Sequence, residues 1–185
     1  MIQNRTKFDV SLIENIDTLR KLVELLKQGQ FDDITSQLAT ISIPCSAFSP
    51  YASWEETRYT RNCIAHNDEF ELVLLCWPPH LGTDIHGHDE KECWVKILNG
   101  EFEEHTYERT GDSFEPTGTR RLNQFEVTDA NDKTFLHSLK NVSSEHAMSL
   151  HLYMAPIKRC DVYDTDEEKF KSVSLTYDTV VTEFS

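Results

Sequence analysis

Residues 85–100 read IHGHDEKECWVKILNG, and this stretch decides the fold of the chain. It places His86 and His88 two positions apart, so on a β-strand both imidazoles project from one face while the residue between them points away. The pair therefore predicts half of a metal site on a strand. The alternatives are a structural ion and an accidental pair of histidines.

A third neutral nitrogen from a distant strand would complete a facial trio of ligands. Such a trio leaves coordination positions free for substrate or oxygen, as a catalytic metal requires. We expect His137 to supply this nitrogen, because it lies in the alternating run 134–139 and is followed at i+4 by Asn141. On spacing alone, His151 competes with it. The remaining histidines are expected in turns or solvent: His66, His80, His105 and His146.

The chain divides into a helical N-terminal part and a longer β part. Apolar residues at helical spacing predict a helix from Leu12 to Lys27, and a shorter helix is expected from Asp32 to about Thr40. From position 57 the pattern changes to short β-type runs. We expect strands at 57–64, 70–77, 93–98, 101–108, 124–128, 134–139, 147–154 and 173–177.

This organisation predicts one domain over residues 1–185. A helical segment over 1–50 precedes a mainly β region over 57–177, which is expected to form a small barrel or jelly roll. Asn99-Gly100 is the strongest hairpin signal in the chain and predicts that the strands on either side of it pair.

Composition excludes several classes of protein. The chain has 32 acidic and 18 basic residues, a net charge of −14, which argues against a nucleic-acid partner and gives no polybasic membrane patch. No apolar run approaches the roughly 20 residues that span a bilayer, and the N-terminus lacks the apolar core of a secretion signal. Five scattered cysteines without a CxxC pair indicate free thiols. We expect a cytoplasmic monomer.

Several separated motifs make the chain similar to the cupins, which are double-stranded β-helix jelly rolls. Cupins carry His-x-His, then a glutamate, then a glycine, and later a histidine followed at i+4 by asparagine. The register here is His86-x-His88-x4-Cys93-x6-Gly100 and His137-x3-Asn141, so a cysteine stands where the glutamate is expected.

A cupin with cysteine at that position resembles the animal-type cysteine dioxygenases. The matching segments are Tyr59-Thr60-Arg61-Asn62, Leu75-Cys76-Trp77, Ile85-His86-x-His88, Cys93 and Ser149-Leu150-His151-Leu152-Tyr153. The resemblance runs from about Tyr59 to Tyr177. Agreement among separated motifs is far more specific than a lone His-x-His pair.

The resemblance implies a fold, a metal and a reaction. It implies a cupin jelly-roll barrel with N-terminal α-helices, one Fe(II) per chain held by His86, His88 and His137, and no organic cofactor. It also implies oxygenation of L-cysteine by O2 to cysteine sulfinic acid, in cysteine catabolism. The chemistry agrees, because oxidising a thiol needs a redox-active metal, and three neutral imidazoles leave the full charge of the ion to attract a thiolate.

For the substrate, the resemblance implies that Arg61 holds the carboxylate, with Tyr59 beside it. A guanidinium offers a planar fork to a carboxylate, and strand alternation places both side chains on one face. Without the resemblance, a surface ion pair would be the simpler interpretation of Arg61 in so acidic a chain.

The last motif carries the remaining catalytic residues. Ser149, His151 and Tyr153 alternate with two leucines, and the resemblance implies a hydrogen-bonded row that places the tyrosine hydroxyl near the substrate. A solvent-facing row has the same alternation. The resemblance further implies a thioether crosslink between Cys93 and Tyr153. The alternative is a small buried thiol that only packs.

Two other functions remain open. A sister thiol dioxygenase acting on 3-mercaptopropionate shares the three-histidine iron, but typically has glutamine at the position of Arg61 and no cysteine at position 93. A non-catalytic cupin that binds a ligand or metal would keep the barrel without needing the tyrosine–arginine pair or the polar row. O2 uptake with iron and L-cysteine separates this last alternative from the two enzymes.

Overall fold

The computed structural model describes residues 18–29, 33–89, 91–130 and 135–184. The helices are α1 (Leu19–Lys27) and α2 (Ile34–Thr40), followed by single 3₁₀ turns at Cys45–Ala47 and Ser49–Tyr51. The strands are β1 (Thr60–His66), β2 (Glu71–Trp77), β3 (Glu92–Asn99), β4 (Phe102–Thr110), β5 (Ser113–Leu122), β6 (Val127–Asp129), β7 (Phe135–Asn141), β8 (Ala147–Met154), β9 (Arg159–Asp164), β10 (Lys169–Ser174) and β11 (Thr179–Val180).

Two sheets face each other across a shared apolar core. The larger sheet has the strand order β11-β1-β2-β8-β3-β6, the smaller has the order β5-β4-β7, and β9 pairs with β10 as a separate ribbon. Val73 and Val95 of the larger sheet lie in one buried cluster with Phe102 and Leu139 of the smaller sheet. The predicted mainly β, jelly-roll architecture is therefore confirmed, although the sheets do not close into one continuous barrel.

The central strand β2 is buried on both faces. Leu72 and Leu74 pack in the cluster that contains the helices, whereas Val73, Leu75 and Trp77 point into the cluster between the sheets. This alternation follows from the two-residue period of a strand. A continuous apolar run in the sequence therefore marks the strand that separates the helical layer from the interior of the jelly roll.

The N-terminal helices cover the outer face of the larger sheet. Thr18 caps α1 by accepting a hydrogen bond from the Lys21 backbone, and Asp33 caps α2 in the same way from Ser36. Both predicted helices are confirmed, but α1 begins at Leu19, after Thr18 in extended conformation; residues 12–17 of the first prediction and residue 32 of the second lie outside the described residues. In the described ranges, no helix has the length and apolar character needed to cross a membrane.

The predicted hairpin at Asn99-Gly100 is wrong. The turn exists, with Gly100 at a φ of +85°, but β3 pairs with β6 and β8 while β4 pairs with β5 and β7. The turn therefore carries the chain from one sheet to the other. Glycine is required there, because an added Cβ would lie 2.6 Å from the Cβ of Ala147.

Several strands differ from the prediction. β5, β9 and β11 were not expected, and β10 runs over Lys169–Ser174 where a strand over 173–177 was expected. β5 was not predicted because its sequence is polar and contains Pro116 and Gly118, a composition typical of a turn. As an edge strand of the smaller sheet it tolerates a proline, and Pro116 lies next to a bulge at Thr117, which has no register partner on β4.

Candidate metal centre and substrate cavity

His86, His88 and His137 converge on one point between the sheets. One ligating atom from each lies within 4.8 Å of the other two. His86 and His88 lie in an extended loop and not on the expected strand. Of the two, only His86 forms an isolated β-bridge. Its backbone exchanges two hydrogen bonds with that of His137, of 2.9 and 3.0 Å, and this bridge fixes the loop against β7.

Hydrogen bonds at Nδ1 orient two of the three rings. The Nδ1 atom of His86 lies 3.0 Å from the carbonyl oxygen of Asp84, and that of His137 lies 2.8 Å from Oε1 of Glu104. In each ring the partner accepts the Nδ1 proton, which leaves Nε2 as the nitrogen with a free lone pair. Outer partners of this kind orient histidine ligands in metal sites.

Glu104 is a functional residue that the sequence interpretation missed. Its side chain is fully buried on β4, and it also accepts hydrogen bonds from Arg120 Nε at 2.7 Å and Thr128 Oγ1 at 3.0 Å. Burial raises the pKa of this carboxyl, but the bonds from His137 and Arg120 outweigh burial and hold the pKa below its ordinary value. The one signal in the sequence that could have identified Glu104 is its position on an alternating strand, where its side chain points inward although it is acidic.

The imidazoles of His86 and His88 are in the protonation state that binds metals. Burial, reinforced by His137, lowers the pKa of His86 to about 3. Burial also lowers the pKa of His88 well below its ordinary value. Both rings are therefore neutral at neutral pH, and a neutral imidazole is the ligating form. Three converging imidazole nitrogens fit a divalent transition metal such as iron or zinc.

The three histidines line a cavity of about 260 Å³. Tyr59 and Arg61 lie on its wall, as the alternation of the strand predicts, and the wall also includes His151, Tyr153 and Cys160. Apolar side chains also contribute to the lining, among them Leu75, Leu139, Ile157, Val162 and Leu175. A small polar molecule in this cavity would thus contact the metal-ligating group and a guanidinium together.

Arg61 is buried beside Tyr153, with only 8% of its surface exposed. Its Cζ atom lies 5.9 Å from the centre of the Tyr153 ring, and its Nη2 donates to Oε1 of Glu71 at 3.1 Å. Its Nε is buried and has no hydrogen-bond partner among the described residues. A buried donor without a partner is costly, so a ligand acceptor at this atom would be stabilising.

The polar row of β8 faces the cavity side of the sheet. Ser149 Oγ lies 2.8 Å from His151 Nε2 and accepts a hydrogen bond of 2.9 Å from the indole of Trp77. Tyr153 stands directly opposite Cys93 in the antiparallel pairing of β8 with β3. Both side chains are buried, and burial raises the pKa of the Cys93 thiol. This row is therefore an internal network and not a solvent-facing one.

Two facing sheets with a three-histidine centre between them define a cupin. A crystal structure from Bacillus halodurans is similar, with a TM-score of 0.50 at 10% identity over 66% of this chain and 80% of that one. A Klebsiella pneumoniae protein with a double-stranded β-helix domain has a TM-score of 0.48 at 15% identity, over 57% and 84% of the two chains.

The chain belongs to the cysteine dioxygenase type I family, whose profile matches residues 1–166. Cysteine dioxygenase type 1 of Danio rerio is 32% identical over 173 residues, covering 87% of this chain and 86% of the relative. The Homo sapiens protein of the same name is 28% identical over 171 residues, covering 86% of each. The predicted family of metalloenzymes is thus confirmed, and the histidine group is where a metal fits.

Proposed function

We propose that the protein oxygenates the sulfur of L-cysteine with O2 at one Fe(II) per chain, giving cysteine sulfinic acid. The observation that carries this proposal is the convergence of three imidazoles in a cavity shared with a buried arginine. The reaction balances, because the thiol and O2 combine with both oxygen atoms on sulfur and the substrate supplies the electrons. No organic cofactor is then needed.

Iron would supply the redox chemistry of the reaction, for which zinc is unsuited. His86, His88 and His137 would hold it through one nitrogen each. Since these ligands carry no negative charge, the anionic thiolate of the substrate is strongly attracted to the centre. Cys93, which replaces the acidic residue of other cupins, adds no competing charge because burial keeps its thiol protonated.

Arg61 and Tyr59 would bind the substrate carboxylate. The unpartnered Nε of Arg61 supplies a donor on the cavity wall, and the buried guanidinium supplies the complementary charge. Holding the carboxylate fixes the distance between the substrate sulfur and the metal-ligating group. This use of binding energy to orient the reacting atom is a large source of rate acceleration.

Ser149, His151 and Tyr153 would orient the substrate from the other side. The hydrogen bond between Ser149 and His151 fixes the imidazole, and His151 and Tyr153 both line the cavity. We also propose a thioether between Cys93 and Tyr153, which would hold the phenol in place. Its formation joins sulfur to a ring carbon and removes the thiol hydrogen and one ring hydrogen, and these two protons and two electrons reduce one O2 to hydrogen peroxide.

The remaining properties are also proposals. The free state of all five cysteines supports a reducing, cytoplasmic compartment. The net charge of −14 supports the absence of nucleic-acid and membrane partners. We further propose one domain over residues 1–185 that acts as a monomer.

Oxygen uptake tests the proposed function. The iron-loaded protein is given L-cysteine or 3-mercaptopropionate, and products are identified by mass spectrometry. We expect uptake with L-cysteine and a product heavier by both atoms of labelled O2. Faster turnover of 3-mercaptopropionate would assign the sister activity instead. Bound iron without oxygen uptake from either thiol would indicate a non-catalytic cupin.

A further inference from the structure

Glu71 is a fully buried carboxylate behind the substrate cavity. It is the first residue of β2, and its side chain has no exposed surface. Oε1 accepts the hydrogen bond of 3.1 Å from Arg61 Nη2, and Oε2 accepts one of 2.9 Å from the backbone N–H of Ile157. The hydroxyl of Tyr177 also hydrogen-bonds to this carboxyl.

Such an arrangement is expensive to build for stability alone. Burial removes the carboxylate from water at a high cost in free energy. Pairing with a buried cation only roughly offsets that cost, so an apolar pair of the same volume would be as stable. Burial raises the pKa of Glu71, and Arg61, the Ile157 N–H and Tyr177 counteract this by stabilising the charged form. The cluster therefore calls for a role beyond folding.

The partners of Glu71 connect it to the cavity. Arg61 and Ile157 both line the cavity, from β1 and from the segment after β8. Glu71 thus connects the guanidinium of Arg61 to the backbone of Ile157 through one carboxylate. It also determines which donors of Arg61 remain for a ligand, because Nη2 is engaged by Glu71 whereas Nε is left without a partner among the described residues.

We propose that Glu71 is a positioning residue that sets the affinity of the cavity for a substrate carboxylate. It does so by holding the Arg61 guanidinium in one orientation and by fixing Ile157 against it. This inference rests on the proposed function, since it assigns the carboxylate of L-cysteine to Arg61. Glu71 acts through Arg61 and contacts neither substrate nor metal.

The test compares L-cysteine with cysteamine, which has the thiol and amine but no carboxylate. Glu71→Gln keeps the shape of the side chain and one oxygen that can accept from Nη2, but it removes the negative charge that pairs with the guanidinium, so Arg61 is held less firmly. We expect the Kd of the iron-loaded variant for L-cysteine, measured by anaerobic calorimetry, to rise about tenfold. The Kd for cysteamine should change by less than about twofold.

Two further variants keep the test decisive. Asp178→Asn is the matched control: Asp178 accepts from the Arg61 backbone N–H at 2.8 Å and pairs with Arg58, but it does not engage the guanidinium in these contacts. It should leave both Kd values unchanged. If Glu71→Gln fails to fold, Tyr177→Phe is used instead, because it removes one hydrogen bond to Glu71 and keeps the pairing of Glu71 with Arg61. We then expect the Kd for L-cysteine to rise about threefold and the Kd for cysteamine to stay unchanged.

Equal weakening of L-cysteine and cysteamine binding, or no change in either, would overturn the inference. The first result would give Glu71 a purely structural role, and the second would give it none. Failure of the proposed function is distinguishable, because it would show as absent oxygenation by the wild-type enzyme. The inference is judged instead on the ratio of binding constants between variant and wild type.

Discussion

Nδ1 of His137 lies 2.8 Å from Oε1 of Glu104, and both side chains are buried. Outer partners of this kind raise the basicity of the ligand and fix its orientation. We expect Glu104→Leu to weaken Fe(II) binding about 10- to 100-fold in chelator competition. Glu104→Gln should lose less, because its amide oxygen can still accept from Nδ1.

The chain offers a matched control for this prediction. Glu103, next along β4, accepts a hydrogen bond of 2.8 Å from His105, which is not part of the histidine cluster. Glu103→Gln should therefore leave iron affinity unchanged. Similar losses for both positions would show that the effect is one of general charge and not of ligand orientation.

Arg61→Ala should separate substrate binding from metal binding. The guanidinium lies on the cavity wall but outside the histidine cluster, so we expect the Kd for L-cysteine to rise about 100-fold or more while iron content stays near that of the wild type. Iron content is measured by metal analysis and Kd by anaerobic calorimetry. Parallel loss of both quantities would assign Arg61 to the fold, since it also pairs with buried Glu71.

The opposed positions of Cys93 and Tyr153 predict a covalent link. Residues paired across antiparallel strands have Cβ atoms about 5 Å apart, which a thiol and a phenol ring can bridge. After aerobic turnover, peptide mass analysis should find the two peptides joined with the loss of two hydrogens. Cys93→Ser should lack that species and keep its iron. Unlinked peptides after exhaustive turnover would contradict the prediction.

Lys96 gives stability a pH dependence that can be assigned to one residue. Its ammonium is buried and donates to the Leu38 carbonyl at 2.8 Å, and burial lowers its pKa to about 8. Below that pH, Lys96 is protonated in both the folded and the unfolded chain, so the folded protein bears the full cost of burying a charged ammonium. Between about 8 and the ordinary value of 10.5, the unfolded chain binds more protons, so stability rises with pH.

Urea unfolding of the wild type and of Lys96→Met checks this assignment. The stability of the wild type relative to the variant should rise across that window, by up to about 1.4 kcal/mol per pH unit. The variant removes the Lys96 ammonium and leaves the thiols and phenols of the protein in place. Any pH dependence from those groups is therefore common to both proteins and cancels in the comparison. Parallel stability curves would show that the ammonium keeps an ordinary pKa in the folded protein.

The fold was predictable where periodicity is strong and uncertain where tertiary context decides. The run over β2 and the alternation over β8 identify their strands from sequence. Pairing across Asn99-Gly100 was mispredicted, because a local turn signal does not show which sheet receives the next strand. The edge strand β5 was missed because its partner β4, and not its own composition, makes it a strand.

The candidate site shows the same division. Short spacings and the family resemblance identified the residues that face the cavity, and the structure places the three histidines together. The outer partners Glu71 and Glu104 were missed, because neither belongs to a motif. Each is recognisable only once the strands bring it against Arg61 or His137, since an acidic residue on a strand is usually solvent-exposed.

The most direct test of the central claim is an anaerobic crystal structure of the iron-loaded protein with L-cysteine. We predict iron about 2.1 Å from one nitrogen each of His86, His88 and His137, with the substrate carboxylate within hydrogen-bond distance of Arg61. Histidines without a common point at that distance, or iron bound at other residues, would contradict the account.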